Sequence, residues 1–387
     1  MTYRLVIGYV PLTDAAPVIV AHELGFAEEE GLELTLLREN SWSSLRDKLA
    51  YGVVGAAHLL SPMAIAMSLG LGPVRGLIDV PFVLNLNGNA FVAGQAMAQN
   101  LLGFGAKFGD AASFGKAAIQ FAKKRPLRIG VPFLTSMHVS MLRLLVERLG
   151  GDAGDVFDFV VSPPSLIEEV LKSGEIDAFM VGAPWGSRAV DRGVGRLMLT
   201  SNSIWQAAPE KVLAMPHDAI EDNPETAWRL VRALHRASVW SSQRQNFSTL
   251  SEILSRERYL NVGADIIEQV VRGKMALDNS GAIASDRSAI LFGGTNVSFP
   301  WKSAAELIAM QEAPYWGVPR PLARKAARNA FRTDIYRQAL EPLNIALPNG
   351  SSKLEGSLTE ATYVPASREL ELGPDAFFDG YIFDPAQ

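Results

Sequence analysis

Cysteine is absent from this 387-residue chain, which removes thiol nucleophiles, disulfides and thiolate metal sites together and leaves the redox compartment open. Histidine is scarce: His22, His58, His138, His217 and His235 are the only five, too scattered along the sequence to suggest a metal cluster. No stretch approaches the ~20 uninterrupted apolar residues of a membrane span, so no membrane insertion is expected. The formal net charge of −5 argues against direct contact with nucleic acid, whose binding surfaces are normally basic. A local pocket on an acidic protein can still hold a small anion. The phosphate loop GxxxxGK[ST], the GxSxG elbow and HExxH are all missing, and Gly293-Gly294 lacks the strand-then-helix setting of a nucleotide loop. The chain reads as non-catalytic, with no cofactor and no metal. Met1 is followed almost at once by a strand-like run, without the basic and apolar regions of a signal peptide. A cytoplasmic location is therefore expected, or a periplasmic one if a leader was trimmed.

What is present is an ordinary globular composition, 48% hydrophobic and 20% charged, in a chain long enough for two or more cores. Strands and helices alternate through the first two hundred residues. Leu5–Val10, Leu32–Leu36 and Ala56–Leu59 read as strands, separated by helices at Ala16–Leu24 and Trp42–Tyr51. A second series begins at Leu127–Val131, passes through a helix at about Ser136–Leu149, and reaches strands at Phe157–Val161 and Ala178–Val181. Such alternation predicts parallel sheets covered by helices, and two series imply two lobes. Residues 82–96, rich in Asn and Gly, suit a first crossing between lobes, and 97–125 suit an amphipathic helical excursion. Beyond Thr200 the pattern is mainly helical, with an irregular polar tail after Pro348.

In open α/β sheets, ligands sit beyond strand ends and at helix starts. Thr13 and Asp14 fall at the mouth of the first helix, where free backbone N–H groups suit an anion, though Thr13 also reads as a simple helix cap. Trp42 follows Ser41 at a loop–helix junction; most tryptophans are core, but an indole N–H here is also an anion donor. Asn85, Asn87 and Asn89 surround Gly88, and strand alternation puts all three on one side. The bland alternative is a hinge whose amides satisfy their own backbone. His138 lies in the first turn of its helix, and Trp185 follows a strand end through Pro184. Lys211, after Glu210, is by default solvent-exposed.

The phrases Gly8–Pro17, Ser41-Trp42 through Arg46–Leu49, Ser61–Met63, Leu84–Ala90, Pro184-Trp185, Pro209–Lys211, Phe299–Ser303 and Phe331–Arg337, in this order, resemble the nitrate- and bicarbonate-binding proteins. That family comprises transporter-linked receptors and cytoplasmic sensors. The similarity covers roughly residues 3 to 356. It implies an α/β, two-lobe periplasmic-binding-protein-like fold of type II with the ligand cleft between lobes. Residues 1–90 would begin lobe 1, 91–198 form lobe 2, and 199–387 return to lobe 1 with a helical C-terminal extension. Carried over by position, the resemblance makes Trp42, Asn89, His138 and Lys211 the pocket lining, with Thr13, Asn87 and Trp185 as close neighbours. Nitrate-binding members resemble this chain in having lysine at the position of Lys211, where bicarbonate receptors tend to have an acid. Nitrate carries no proton and three acceptor oxygens, so its site should offer donors only, which favours nitrate or nitrite. By resemblance the protein is a cytoplasmic sensor whose partner is an RNA-binding antitermination regulator of nitrate assimilation. The alternative is the binding component of a nitrate or bicarbonate ABC transporter. Ala183 stands where relatives often carry an acid, which weakens any case for bound calcium.

Overall fold

The computed structural model describes residues 3–74 and 76–387. The chain lays down β1 (Tyr3–Tyr9), β2 (Leu32–Arg38), β3 (Ala56–Leu60) and β4 (Ile78–Asn87). It then crosses to a second sheet through β5 (Asn89–Gly94), β6 (Leu127–Val131), β7 (Phe157–Val161), β8 (Ala178–Gly182) and β9 (Gly195–Thr200), and returns in β10 (Pro209–Pro216). The first sheet is ordered β4-β10-β3-β1-β2, with the short strand Ile290–Leu291 on the outer edge of β4; the second is ordered β7-β6-β8-β5-β9. β1 runs parallel to β2 and β3, and β6 parallel to β7 and β8, as their helical crossovers require. β10 lies antiparallel between β3 and β4, and β5 antiparallel between β8 and β9.

The first crossover helix, Ala16–Glu23, is apolar all round over its first six residues, and Ala16 to Ala21 are all buried. The long helix Pro224–Ser242 packs against it, as a helix apolar all round requires burial. The Asn- and Gly-rich stretch makes the crossing from one sheet to the other as two strands. β4 and β5 are inner strands of separate sheets, joined only at Gly88. Asn87 (φ 63°) and Gly88 (φ 104°) take left-handed conformations, which asparagine and glycine tolerate best and which swing the chain from one sheet to the other. The excursion 97–125 is two helices, Gln95–Gly103 and Ala111–Ala122.

The largest difference from the sequence reading is β10, where a mainly helical pattern was expected. Val212 to Met215 form a buried apolar run closed by Pro209 and Pro216, the signature of a short core strand. No helix is long and apolar enough to cross a membrane among the described residues.

The segment after residue 300 ties the two sheets together. Helix Lys302–Trp316 crosses the helix Met137–Arg148 of the second lobe, where Arg143 pairs with Glu312 and Gln311 Nε2 donates to Ser140 O at 2.6 Å. Further along the same helix, Arg148 meets Asp379 at 2.6 Å and lies over the Tyr381 ring. Burial pushes the Glu312 carboxyl up to about 7 against the opposing pull of Arg143. A folded-state value above the ordinary 4.5 means its contribution is full below that value and is lost as pH rises through about 7. A displacement of that size is worth up to ~3 kcal/mol. Glu312→Gln should therefore flatten the fall in melting temperature between mildly acidic and mildly alkaline buffer. An identical fall in both proteins would remove this contact as its cause.

Candidate functional site

Two helix starts and one strand crossing converge on a single buried cluster. Ser41 caps the helix Trp42–Ala50, accepting from Ser44 N at 3.2 Å, which leaves Trp42 as its first residue. Ser136 caps Met137–Arg148 in the same way, with Val139 N at 3.4 Å, and places His138 in its first turn. Thr13 and Asp14 occupy a short 3-10 turn ahead of the first helix, and β10 delivers Glu210 and Lys211. Thr13, Asp14, Trp42, His58, Asn89, His138, Glu210 and Lys211 are all buried, at 1% exposure or less.

The charges in this cluster form a chain. His58 Nε2 lies 2.8 Å from Asp14 Oδ1, and Asp14 Oδ2 lies 3.0 Å from Lys211 Nζ. Lys211 Nζ donates to Glu210 Oε1 at 2.6 Å, and Asn89 Nδ2 donates to Glu210 Oε2 at 2.7 Å. His138 Nδ1 stands 3.8 Å from Glu210 Oε1, and the lysine ammonium sits 5.5 Å from the centre of the Trp42 ring. Burial alone would raise the Asp14 carboxyl, but Lys211 and His58 outweigh it and hold it down to about 2. Burial raises the Glu210 carboxyl above its usual range despite Lys211, and the Asp14 charge adds to that rise. Burial would lower Lys211, yet the two carboxylates keep its ammonium charged. His138 is driven well down by burial and by Lys211, and His58 is driven down by burial, so both imidazoles are neutral at pH 7.

Besides Asp14 Oδ2, whose contact is the ion pair with Lys211, six polar atoms in this cluster have no hydrogen-bond partner: Thr13 Oγ1, Trp42 Nε1, both ring nitrogens of His138, Asn89 Oδ1 and His58 Nδ1. Buried polar atoms without partners are rare and costly, so this concentration marks a place built for a ligand. Thr13 does not cap the first helix with its side chain, which removes the capping reading.

The other two expected neighbours serve the scaffold. Asn87 Nδ2 donates to Gln206 O at 2.8 Å and Ser288 O at 2.9 Å, while its Oδ1 accepts from Ala208 N. Asn85 likewise bonds Asn87 O and Lys211 N. The alternation expected to align the three asparagines fails because the left-handed pair at 87–88 breaks the two-residue period. Trp185 spends its indole N–H on Pro11 O at 3.0 Å, joining the second lobe to the first. Thr13 N bonds Ala183 O at 2.8 Å beside it, so the lobes are closed over the cluster.

Two expectations need correction. Lys211 is not solvent-exposed; it is fully buried near the start of the inner strand β10. Nor does the cluster offer donors only, because two carboxylates accompany the lysine. Register shifts around Lys211 in the β10–β4 pairing let consecutive residues, Glu210 and Lys211, share one side. Asp14 and Glu210 were signalled in the sequence by position alone, one beside Thr13 and one beside Lys211. Apart from His58 and His138 in this cluster, His217 meets Asp79 and Glu221 among the described residues. There Arg332 already supplies the cation, with Nη1 at 2.6 Å from Asp79 and 2.9 Å from Glu221.

Two α/β lobes closed over a buried polar cluster at strand ends and helix starts define a solute-binding protein. The chain belongs to the NMT1-like family, which it matches over residues 2–255. It is 28% identical to the nitrate/nitrite binding protein NrtA of Synechocystis sp., over 98% of this chain and 82% of that protein. It is 25% identical to the bicarbonate-binding protein CmpA of Synechococcus elongatus, over 98% of this chain and 83% of that one. The crystal structure of the periplasmic nitrate-binding protein NrtA from Synechocystis PCC 6803 superimposes with a TM-score of 0.85 at 26% identity, covering 100% of this chain and 96% of that one. These relatives are binding proteins, in keeping with a non-enzyme.

Proposed function

We propose that this protein binds nitrate or nitrite in the buried cluster, with Trp42, Asn89, His138 and Lys211 as the contacting residues and Thr13 beside them. Asn87 and Trp185 hold the backbone that carries these contacts. The observation that carries the reading is the set of unpartnered donors at two helix starts around a charged lysine. Asp14 does not spoil the donor set, since one oxygen faces His58 and the other Lys211. Glu210 is the remaining acceptor. Its planar carboxylate takes bonds from Lys211 and Asn89, as a nitrate would, and so acts as an internal stand-in for the anion. Calorimetric titration with nitrate, nitrite and bicarbonate tests the reading. Micromolar nitrate or nitrite binding supports it; bicarbonate binding alone, or none of the three, overturns it.

Downstream of binding, the protein acts as a cytoplasmic sensor that controls an RNA-binding antitermination regulator of nitrate assimilation. This step rests on the resemblance to the sensor branch, and ligand binding would shift the balance of open and closed forms by differential contact. Co-purification with such a regulator, in the presence and absence of nitrate, tests it. Failure to associate in either condition overturns the sensor role. The second reading, the binding component of a nitrate or bicarbonate ABC transporter, is supported by similarity to a nitrate import ATP-binding protein and a bicarbonate transport ATP-binding protein of Synechococcus elongatus.

A further inference from the structure

A cavity away from the anion cluster lies under the C-terminal segment. It has a volume of about 440 Å³, within the ~300–1,000 Å³ range of small-molecule sites. Leu86, Phe292, Val297, Phe299, Trp301 and Phe331 supply its apolar wall. Its polar groups are divided between two ends.

At one end, Lys353 is neutralised by two carboxylates, Glu355 at 2.6 Å and Asp375. Glu355 also accepts from Ser303 Oγ at 2.6 Å, and Asp375 from Leu358 N at 2.7 Å, so this end is internally satisfied. The other end is different. Asp286 forms no ion pair among the described residues; it accepts only from Asn202 Nδ2 at 2.6 Å and Ser288 N at 2.9 Å. That bond fixes the orientation of the Asn202 amide, and its Oδ1 is left buried with no partner. A lone carboxylate beside an unpartnered carbonyl oxygen asks for a charged donor, and the aromatic wall asks for an apolar body that a cation can accompany.

We propose that this cavity is a second ligand site, for a small organic ammonium ion carrying an aromatic or branched apolar group. The ammonium bonds Asp286 and Asn202 Oδ1, and the apolar group packs among Phe292, Val297 and Phe299. The site is distinct from the anion cluster but adjoins it in the chain. Pro209 lines the cavity, while Glu210 and Lys211, the next two residues, belong to the cluster.

Tryptamine is a suitable probe, with indole-3-propionate as its counterpart of opposite charge, using calorimetry and ligand-observed NMR on the full chain. Tryptamine should bind, and indole-3-propionate should bind at least about tenfold more weakly, the factor expected for one charge-assisted bond. Asp286→Asn should weaken tryptamine by a similar factor. Gly373 lines the cavity and is exposed, and a Cβ added to it meets nothing within 4 Å, so the backbone accepts Gly373→Leu, whose longer side chain should narrow the entry. Melting temperatures close to the parent's identify folded variants, and either variant alone suffices as the test. No tryptamine binding at millimolar concentration, equal binding of the anion, or binding unchanged in a folded variant would overturn the proposal.

Discussion

Replacing Glu210 with glutamine should tighten nitrate binding about 10- to 100-fold. In the parent protein the incoming anion must take Lys211 and Asn89 away from the Glu210 carboxylate, which already holds both. A hydrogen bond to a charged group is worth ~1.5–3 kcal/mol, and each ~1.4 kcal/mol is a factor of ten in affinity. Glutamine keeps an oxygen for Asn89 but gives up the charge that competes for the ammonium. Lys211 does not lose its counterion, because Asp14 remains 3.0 Å away. The same competition sets a pH dependence. Burial raises the Glu210 carboxyl, so acidification protonates it before an ordinary glutamate and removes the competitor. Nitrate affinity should rise in the parent as pH falls through that raised value and stay flat in Glu210→Gln. Equal or weaker binding by a folded Glu210→Gln protein would show the glutamate to be a mere counterion of Lys211.

The second large effect concerns stability. Lys211→Met should destabilise the protein by ~3–5 kcal/mol at neutral pH and abolish nitrate binding, since it leaves buried carboxylates without their cation. Asp14 would keep only the neutral imidazole of His58, and Glu210 only the Asn89 amide. Urea unfolding at several pH values checks this. In the parent, Asp14 is held down to about 2, below its ordinary 3.8, so its stabilising contribution is present above 3.8 and lost as pH falls towards 2. In Lys211→Met the depressing charge is gone, and acidification should relieve the buried carboxylates instead. The gap between the two proteins should therefore narrow as pH falls. Adding Glu210→Gln to Lys211→Met should recover part of the loss, because two groups in direct contact are not additive. A Lys211→Met protein as stable as the parent at neutral pH would mean that the carboxylates are already protonated in the fold.

The local sequence determined a good deal of this. Short apolar runs between helical patterns placed β1, β2, β3, β6, β7 and β8 within a residue or two; β3 and β8 are buried at every position, as strands of covered parallel sheets are. Serine followed by Trp42, and serine two residues before His138, marked helix starts whose geometry is set by a cap three residues long. These signals are legible because their cause lies within one turn of chain.

Only the tertiary structure decided the rest. The apolar run of β10 is strand-like by itself, but its place between β3 and β4 is set by segments far earlier in the chain, and nothing within its eight residues announces those partners. The burial of Lys211 follows from that insertion, as does its meeting with Asp14 across the sheet. Asn87 and Asn89 are two residues apart yet have different roles, because one left-handed turn puts them in different sheets. Above all, residue types show which side chains can donate, whereas the fold shows which donors are already taken. Trp185 is spent on Pro11 O while Trp42 is free, and Lys211 faces a carboxylate from its own neighbour. A hydrogen bond is a pairwise, directional contact between groups far apart in sequence, so its partner is fixed by the closed fold and not by the residue that donates it.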